Sequence, residues 1–178
     1  MTDAQAQPAG PPPELAHLTW LLGSWSGVGL GHYPTISPFR FFQEASFAND
    51  GRPFLSYRSR SWLIDDDGNR LRPSGTEEGF LRPLPDNEVE VLLNHPTGIS
   101  EIWYGRVEVT DLVDATITGA RLELTTDGIM RTQSAKEVNA GHRLYGLVAG
   151  ELLWTYDMAA VGEPIQNHLS ARLRPALL

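Results

Sequence analysis

The chain has 178 residues, of which 41% are hydrophobic and 20% are charged. This length and composition are typical of one globular domain and exclude a disordered chain. The formal net charge is −8, which argues against nucleic acid or an anionic membrane surface as a partner, because both attract basic proteins. The absence of cysteine excludes disulfides, iron–sulfur clusters and thiolate metal sites.

The N-terminal residues 1–13 are rich in Pro, Ala and Gln and predict a flexible tail. They lack the basic start and the apolar core of a signal peptide. No apolar run in the sequence approaches the roughly 18 residues that cross a bilayer. The sequence therefore predicts a cytoplasmic protein without a membrane partner, folded as one domain over residues 14–178.

A short helix is predicted over residues 14–22. Leu15, Leu18 and Leu22 share one face at helical spacing, and Gly23 can end the helix. Three prolines directly precede it, as is common at helix starts. No other segment shows a convincing helical pattern.

After Gly23 the sequence changes to short segments rich in β-branched and aromatic residues, separated by turn residues. Val89, Val91 and Leu93 show the alternation of a half-buried strand. Strands are predicted over residues 25–31, 40–48, 53–64, 76–83, 88–94, 100–109, 112–118, 121–126, 133–147 (one strand or two), 151–158 and 167–174. Turns are predicted at Asn49–Gly51, Asp66–Asn69, Pro85–Asn87, Thr118–Gly119, Asp127–Gly128 and Ala149–Gly150.

Ten or eleven strands joined by tight turns, with no helices between them, predict antiparallel pairing. Serial hairpins of this kind close into a barrel or fold into a sandwich, and either arrangement protects the strand edges. A barrel of about eight to ten strands can hold one small ligand. The predicted N-terminal helix would cover one end of such a barrel.

Residues 23–34 read GSWSGVGLGHYP and place three glycines, at positions 27, 29 and 31, on one face of a strand. A bare strand face allows close approach of another backbone, a helix or a flat ligand. The spacing differs from that of the dinucleotide-binding fingerprint, and a strand rather than a helix follows. A sharp bend at a barrel rim is the simpler explanation of the pattern.

His168 lies in the last predicted strand. Simple alternation groups it with Ser170 and Arg172, opposite Leu169 and Leu173, and so favours a histidine on the solvent side. Alternation does not identify the inward face, however, and a histidine at the end of a barrel strand can also point into the mouth. Both orientations remain open.

Three other polar segments have simple structural explanations. Lys136 and Glu137 indicate either a surface ion pair or a cation directed at an anionic group. Residues 95–98, with sequence HPTG, indicate a turn between strands, and a pocket role for His95 is the alternative. Residues 65–69, with sequence DDDGN, indicate a hairpin turn rather than a calcium site. The histidines show no spacing typical of a zinc site.

Several segments, taken in order, resemble the nitrobindin family. GSWSGVGLGHYP fits the family pattern Gly-x-Trp-x-Gly-x-Gly-x-Gly-x-Tyr-Pro at every fixed position. The further matching segments are TISPF at 35–39, GRPFLSY at 51–57, HPTGISE at 95–101, AKEV at 135–138 and QNHL at 166–169. The resemblance covers residues 15–174, nearly the whole predicted domain.

The resemblance implies an all-β, ten-stranded antiparallel barrel, similar to fatty-acid-binding proteins, with one ferric haem b per chain in one mouth. Nitrobindins bind nitric oxide at this iron and isomerise peroxynitrite to nitrate. By this resemblance, His168 is the proximal iron ligand, Lys136 contacts the haem and Thr35 lies beside it. The bare face at Gly27 and Gly29 would allow the porphyrin to approach closely.

Two other functions remain open on the same fold, because fold does not fix function. One is a carrier of an apolar, lipid-like molecule, and the other is a nitric oxide sensor or storage protein. His168 discriminates against the first, since a lipid carrier needs no iron ligand. The predicted partners are haem, peroxynitrite and nitric oxide, and a homodimer is left open.

Overall fold

The structure of the chain is a computed structural model that describes residues 10–176. Ten antiparallel strands close into a barrel, in which each strand pairs with the next along the chain and the last strand pairs with the first. This arrangement confirms the predicted fold class. The strands are β1 (Gly23–Tyr33), β2 (Ile36–Ala48), β3 (Leu55–Ile64), β4 (Arg70–Pro83), β5 (Glu88–His95), β6 (Ile99–Val113), β7 (Thr116–Arg131), β8 (Val138–Val148), β9 (Glu151–Ala160) and β10 (Gln166–Pro175).

The N-terminal helix is a 3-10 helix over Pro13–Leu21. Leu15, Leu18 and Leu21 are fully buried, and their spacing matches the three residues per turn of a 3-10 helix. Leu21 therefore takes the place predicted for Leu22. The helix packs against β4, β6 and β7 and covers one end of the barrel.

The predicted tail is only partly described, because residues 1–9 lie outside the described part of the chain. A second 3-10 turn, Pro85–Asn87, connects β4 and β5. Within residues 10–176, no helix has the length and apolar character needed to cross a membrane.

The predicted boundary between two strands at 112–118 and 121–126 is wrong. β6 and β7 are long strands joined at Asp114–Ala115, whose φ angles of 48° and 62° are left-handed, as a tight hairpin of the primed type requires. The predicted turns at Thr118–Gly119 and Asp127–Gly128 both lie inside β7. Irregular pairing of β6 with β7 accommodates both glycines.

The segment predicted as one or two strands over residues 133–147 contributes one strand, which begins at Val138. The predicted turn at Ala149–Gly150 is confirmed, with φ angles of 52° and 76°. The segment 65–69 is also a turn, since the Asp65 carboxylate accepts a hydrogen bond from the Asn69 amide at 2.8 Å. These turns leave ten strands rather than eleven.

The two ends of the barrel differ. One end carries the 3-10 helix and is filled by apolar side chains, among them Val89 and Leu122, which are fully buried. The other end carries the connections at residues 34–35, 65–69, 96–98, 132–137 and 161–165. We call the first the closed end and the second the mouth.

Candidate functional site

A cavity of about 280 Å³ lies inside the barrel and opens at the mouth. Part of its wall is apolar or aromatic, and its other lining side chains are polar or charged. The apolar and aromatic group includes Phe39, Phe41, Trp154, Tyr156, Met158 and Leu169. The polar group includes Gln43, Ser59, Glu77, His95, Glu101, Arg143 and His168.

His168 lines this cavity because β10 is irregular at that residue. The pairing of β10 with β9 shifts register between Asn167 and Leu169, which pair with consecutive residues of β9. His168 is therefore the extra residue of a β-bulge, and a bulge re-aims the side chain that it carries. Simple alternation, which grouped His168 with Ser170 and Arg172, fails here. Of the two orientations that the sequence left open, the structure shows the one into the mouth.

The two ring nitrogens of His168 have different surroundings. Nδ1 lies 2.9 Å from the backbone carbonyl oxygen of His32. A carbonyl only accepts, so Nδ1 carries the proton in the neutral ring and Nε2 keeps its lone pair. The Tyr33 ring packs against the imidazole at a centroid distance of 5.3 Å and an angle of 71°. The tautomer and the orientation of the ring are thus both fixed.

Burial lowers the pKa of His168 below the ordinary value of a histidine. Desolvation has this effect because it disfavours the charged imidazolium. His168 is therefore neutral at neutral pH. A neutral imidazole whose second nitrogen is held by a carbonyl is the form in which histidine binds metal ions.

A buried ion pair occupies the floor of the cavity. Arg143 is only 1% exposed and donates hydrogen bonds to both carboxylate oxygens of Glu77, at 2.5 and 3.1 Å. Burial alone would raise the pKa of Glu77, but the charge and hydrogen bonds of Arg143 lower it to about 2. The guanidinium also lies 4.6 Å from the ring centroid of Tyr156. Both charges are therefore compensated inside the barrel.

His95, the last residue of β5, lies beside this ion pair. Its Nε2 lies 3.0 Å from Oε2 of Glu101, and its Nδ1 lies 3.9 Å from Oε1 of Glu77. The indole of Trp103 donates to the same Glu101 oxygen at 3.1 Å. The predicted turn at residues 95–98 is present, with the Gly98 amide bonded to the His95 carbonyl, and the ring of His95 lines the cavity as well.

Gly27 and Gly29 do not line the cavity. A Cβ at Gly29 would lie 2.2 Å from the ring of Phe41, and a Cβ at Gly27 would lie 2.1 Å from the carbonyl oxygen of Arg172. The predicted close approach is thus made by an aromatic side chain and by the backbone of β10. Phe41, rather than the glycines, faces the cavity.

Thr35 and Lys136 both lie in exposed connections at the mouth and outside the cavity lining. Thr35 belongs to the β1–β2 turn, and Lys136, the single lysine of the sequence, lies between β7 and β8. The Glu137 side chain accepts a hydrogen bond from Asn139 at 3.1 Å. Contacts of Thr35 and Lys136 with a haem stay predictions.

The sequence was also compared with known protein families. The family described as "THAP4-like, heme-binding beta-barrel domain" matches residues 14–174. The chain belongs to this family. Its nitrobindin-type barrel has the same ten strands that the resemblance implied.

Relatives of this nitrobindin-family chain match it over most of their length. A protein of Nocardioides sp. named peroxynitrite isomerase is 51% identical over 161 residues, which cover 90% of this chain and 92% of the relative. A ferric nitrobindin-like protein of Kineococcus radiotolerans is 40% identical, covering 92% and 93%. The crystal structure of Rv2717c from M. tuberculosis superposes with a TM-score of 0.85 at 40% identity, covering 94% of this chain and 99% of that one.

The charged floor was missed by sequence reasoning. Arg143 shares a strand face with Tyr145 and Leu147, which are both buried. A charged residue on an otherwise apolar strand face indicates a buried ion pair, because charges are rarely buried without a partner. The alternation of β8 therefore contains this signal. Its partner Glu77 lies 66 residues away in the chain, so no local pattern could name it.

Proposed function

We propose that this nitrobindin-family protein is a haem-dependent peroxynitrite isomerase that binds one ferric haem b through Nε2 of His168. The observation that carries the proposal is the bulge in β10, which turns a neutral imidazole of fixed tautomer into the cavity. Membership of a haem-binding family and relatives named peroxynitrite isomerase support it. A cytoplasmic location stays a prediction.

The cavity fits the chemistry of haem, which is a flat apolar ring with two anionic propionates. Phe39, Phe41 and Met158 offer apolar contacts near His168, and the single imidazole supplies one axial ligand. Lys136, at the rim, is the cation proposed to pair with a propionate. Arg143 does not serve this purpose, because Glu77 already compensates its charge.

The residues of the β1 face act indirectly in this proposal. Gly27 allows β10, which carries His168, to lie close to β1, and Gly29 makes room for the ring of Phe41. Thr35 lies at the mouth, where its hydroxyl is accessible to a bound group. None of these residues needs to touch the reacting atoms.

When bound, the ferric iron supplies a Lewis acid for the rearrangement of peroxynitrite to nitrate and a position for nitric oxide. The chain holds the ring in place through His168 and surrounds it with apolar side chains. Its mouth is the route by which a small anion enters. The peroxynitrite anion would need no nucleophile from the protein for this chemistry.

The ligand assignment is tested by the spectrum of purified protein reconstituted with hemin. We expect the wild type to develop a sharp Soret band distinct from that of free hemin and His168→Ala to lack this change, because the variant lacks the iron ligand. His32→Ala is the matched control, since its backbone carbonyl, rather than its exposed ring, holds His168. Full haem occupancy with an unchanged spectrum in His168→Ala would show that the assignment is wrong.

The reaction is tested by stopped-flow decay of peroxynitrite with and without haem, followed by analysis of nitrate and nitrite. We expect the haem-loaded protein to accelerate the decay and to raise the share of nitrate. A haem-loaded protein that binds nitric oxide but leaves the decay unchanged would point to sensing or storage. A protein that refuses hemin and binds fatty acids would point to an apolar carrier.

A further inference from the structure

The cavity contains a second imidazole that the proposed function does not use. His95 and His168 line the same cavity, but they are held differently. His168 is fixed by a backbone carbonyl, whereas His95 is fixed by the carboxylate of Glu101 at 3.0 Å. A hydrogen bond to an ionised carboxylate is stronger than one to a neutral carbonyl.

Glu101 is an unusual partner, because it is 3% exposed and lies at the floor of the cavity. Its Oε2 accepts hydrogen bonds from His95 and from the Trp103 indole. Within residues 10–176, His95 is the sole basic side chain that lies within 4.0 Å of this carboxylate. This hydrogen bond fixes the orientation of the His95 ring.

The other titratable groups around His95 are already paired or stay neutral. Glu77 of β4 is held by Arg143 of β8 and by the Tyr57 hydroxyl of β3, and this pairing lowers its pKa to about 2. Burial raises the pKa of Tyr156 on β9, so this phenol stays neutral. Of Glu77, Tyr156 and His95, the imidazole is thus the group suited to accept a proton from an entering acid.

The two ring nitrogens of His95 have different surroundings. Nε2 donates to Glu101, so Nδ1 keeps its lone pair in the neutral ring. Nδ1 lies 3.9 Å from Glu77, which is too far for a hydrogen bond. This nitrogen is therefore available to a proton donor that enters the cavity.

We propose that His95, oriented by Glu101, is the proton acceptor for weak acids that enter the cavity, and that it converts peroxynitrous acid into its anion there. The O–H bond of the acid breaks, an N–H bond forms at Nδ1, and the electron pair stays on the peroxynitrite oxygen. The imidazolium later returns the proton to water at the mouth. No oxidant or reductant is required. The inference rests on the proposed function, since it describes how the acid form of that substrate becomes usable.

The test compares two inhibitory ligands of ferric haem, hydrogen cyanide and azide, on hemin-loaded wild type and His95→Gln near pH 7. Hydrogen cyanide must lose a proton in order to bind, whereas azide is already an anion at this pH. We expect the association rate of cyanide to fall by about 100-fold in the variant, the scale of a positioned proton acceptor. The association rate of azide should be unchanged, because it needs no acceptor.

Glutamine keeps an amide donor toward Glu101, so His95→Gln is close in shape to the wild type. Glu101→Gln retains the imidazole and should lower the cyanide rate in the same direction but less, which gives a second test should the first variant unfold. Equal cyanide rates in wild type and variants, or an equal fall for cyanide and azide, would overturn the inference. A wild type that leaves the spectrum of free hemin unchanged would instead overturn the proposed function.

Discussion

The imidazole of His168 has one nitrogen bonded to a backbone carbonyl and one nitrogen that faces the cavity. If His168 binds iron as proposed, proton and iron compete for the second nitrogen, because only the unprotonated form binds a metal ion. Burial lowers the pKa of the ring, so the neutral form persists at pH values where an exposed histidine is already protonated. Under that proposal, the acid sensitivity of haem binding is a property of this single residue.

We predict that hemin is retained as the pH falls through 6.5, the ordinary pKa of a histidine, and is released only at lower pH. The sign follows from the lowered pKa, since protonation of His168 begins to compete with iron below the ordinary range. The measurement is the Soret absorbance along a slow acid titration, with His32→Ala as the control. Release centred at or above the ordinary value would contradict this prediction.

The single lysine gives a chemical handle at the mouth. If Lys136 pairs with a propionate, bound hemin should slow its acylation by an amine-reactive ester about fivefold, the scale of an exposed ion pair of about 1 kcal/mol. Mass spectrometry of the peptide that contains Lys136 measures the rate, and the α-amino group serves as an internal reference. Equal rates with and without hemin would exclude this pairing.

At the scale of an element, β1 shows why glycine is required beside an aromatic ring. A Cβ at Gly29 would lie 2.2 Å from Phe41 and 2.6 Å from the carbonyl oxygen of Ser170. Both neighbours are fixed by the barrel, so the space cannot be made without moving a strand or a wall of the cavity. By contrast, a Cβ at Gly146 in β8 would meet no atom closer than 3.9 Å.

We therefore predict that Gly29→Ala lowers the free energy of unfolding by about 1–3 kcal/mol, as overpacking does. Gly146→Ala is the matched control and should be neutral or slightly stabilising, because alanine restricts the unfolded chain. Urea denaturation of the two variants and the wild type gives the comparison. Similar losses in both variants would show that backbone freedom, rather than space at Phe41, is decisive.

Elements were predictable from the sequence to different extents. Alternation and turn residues predicted nearly all strands, since both are local signals. The β6–β7 hairpin was misplaced because Asp114–Ala115 adopts left-handed φ angles without glycine, while glycines at 119 and 128 lie within a strand. The bulge at His168 was not predicted either, because one extra residue reverses the alternation without any signal in the composition. Resemblance to a family, rather than pattern, identified that histidine.

At the scale of the whole molecule, the closed end and the mouth divide stability from binding. The closed end contains most of the fully buried apolar side chains together with the 3-10 helix. The mouth contains a cavity whose floor is charged and whose wall is aromatic. A ligand that fills this cavity adds contacts which the unfolded chain cannot make, and so it stabilises the fold.

Hemin in excess by about 100-fold over its dissociation constant should stabilise the protein by about 2.7 kcal/mol. For a chain of this size, this corresponds to a rise of roughly 5–10 °C in Tm. We expect the rise in wild type and little or none in His168→Ala, measured by circular dichroism on heating. An equal rise in both proteins would place the bound hemin elsewhere on the surface.

The pairing of β1 with β10 places the start of the first strand beside the end of the last strand. Trp25 lies opposite Pro175, and the Ala176 amide donates to the Ser24 carbonyl at 2.8 Å. Both contacts lie at the closed end, opposite the mouth that contains His168. The barrel could consequently be attached before β1 or after β10 to a tether, an electrode surface or a second protein. Its mouth would then face outward and remain free to exchange small molecules with solvent.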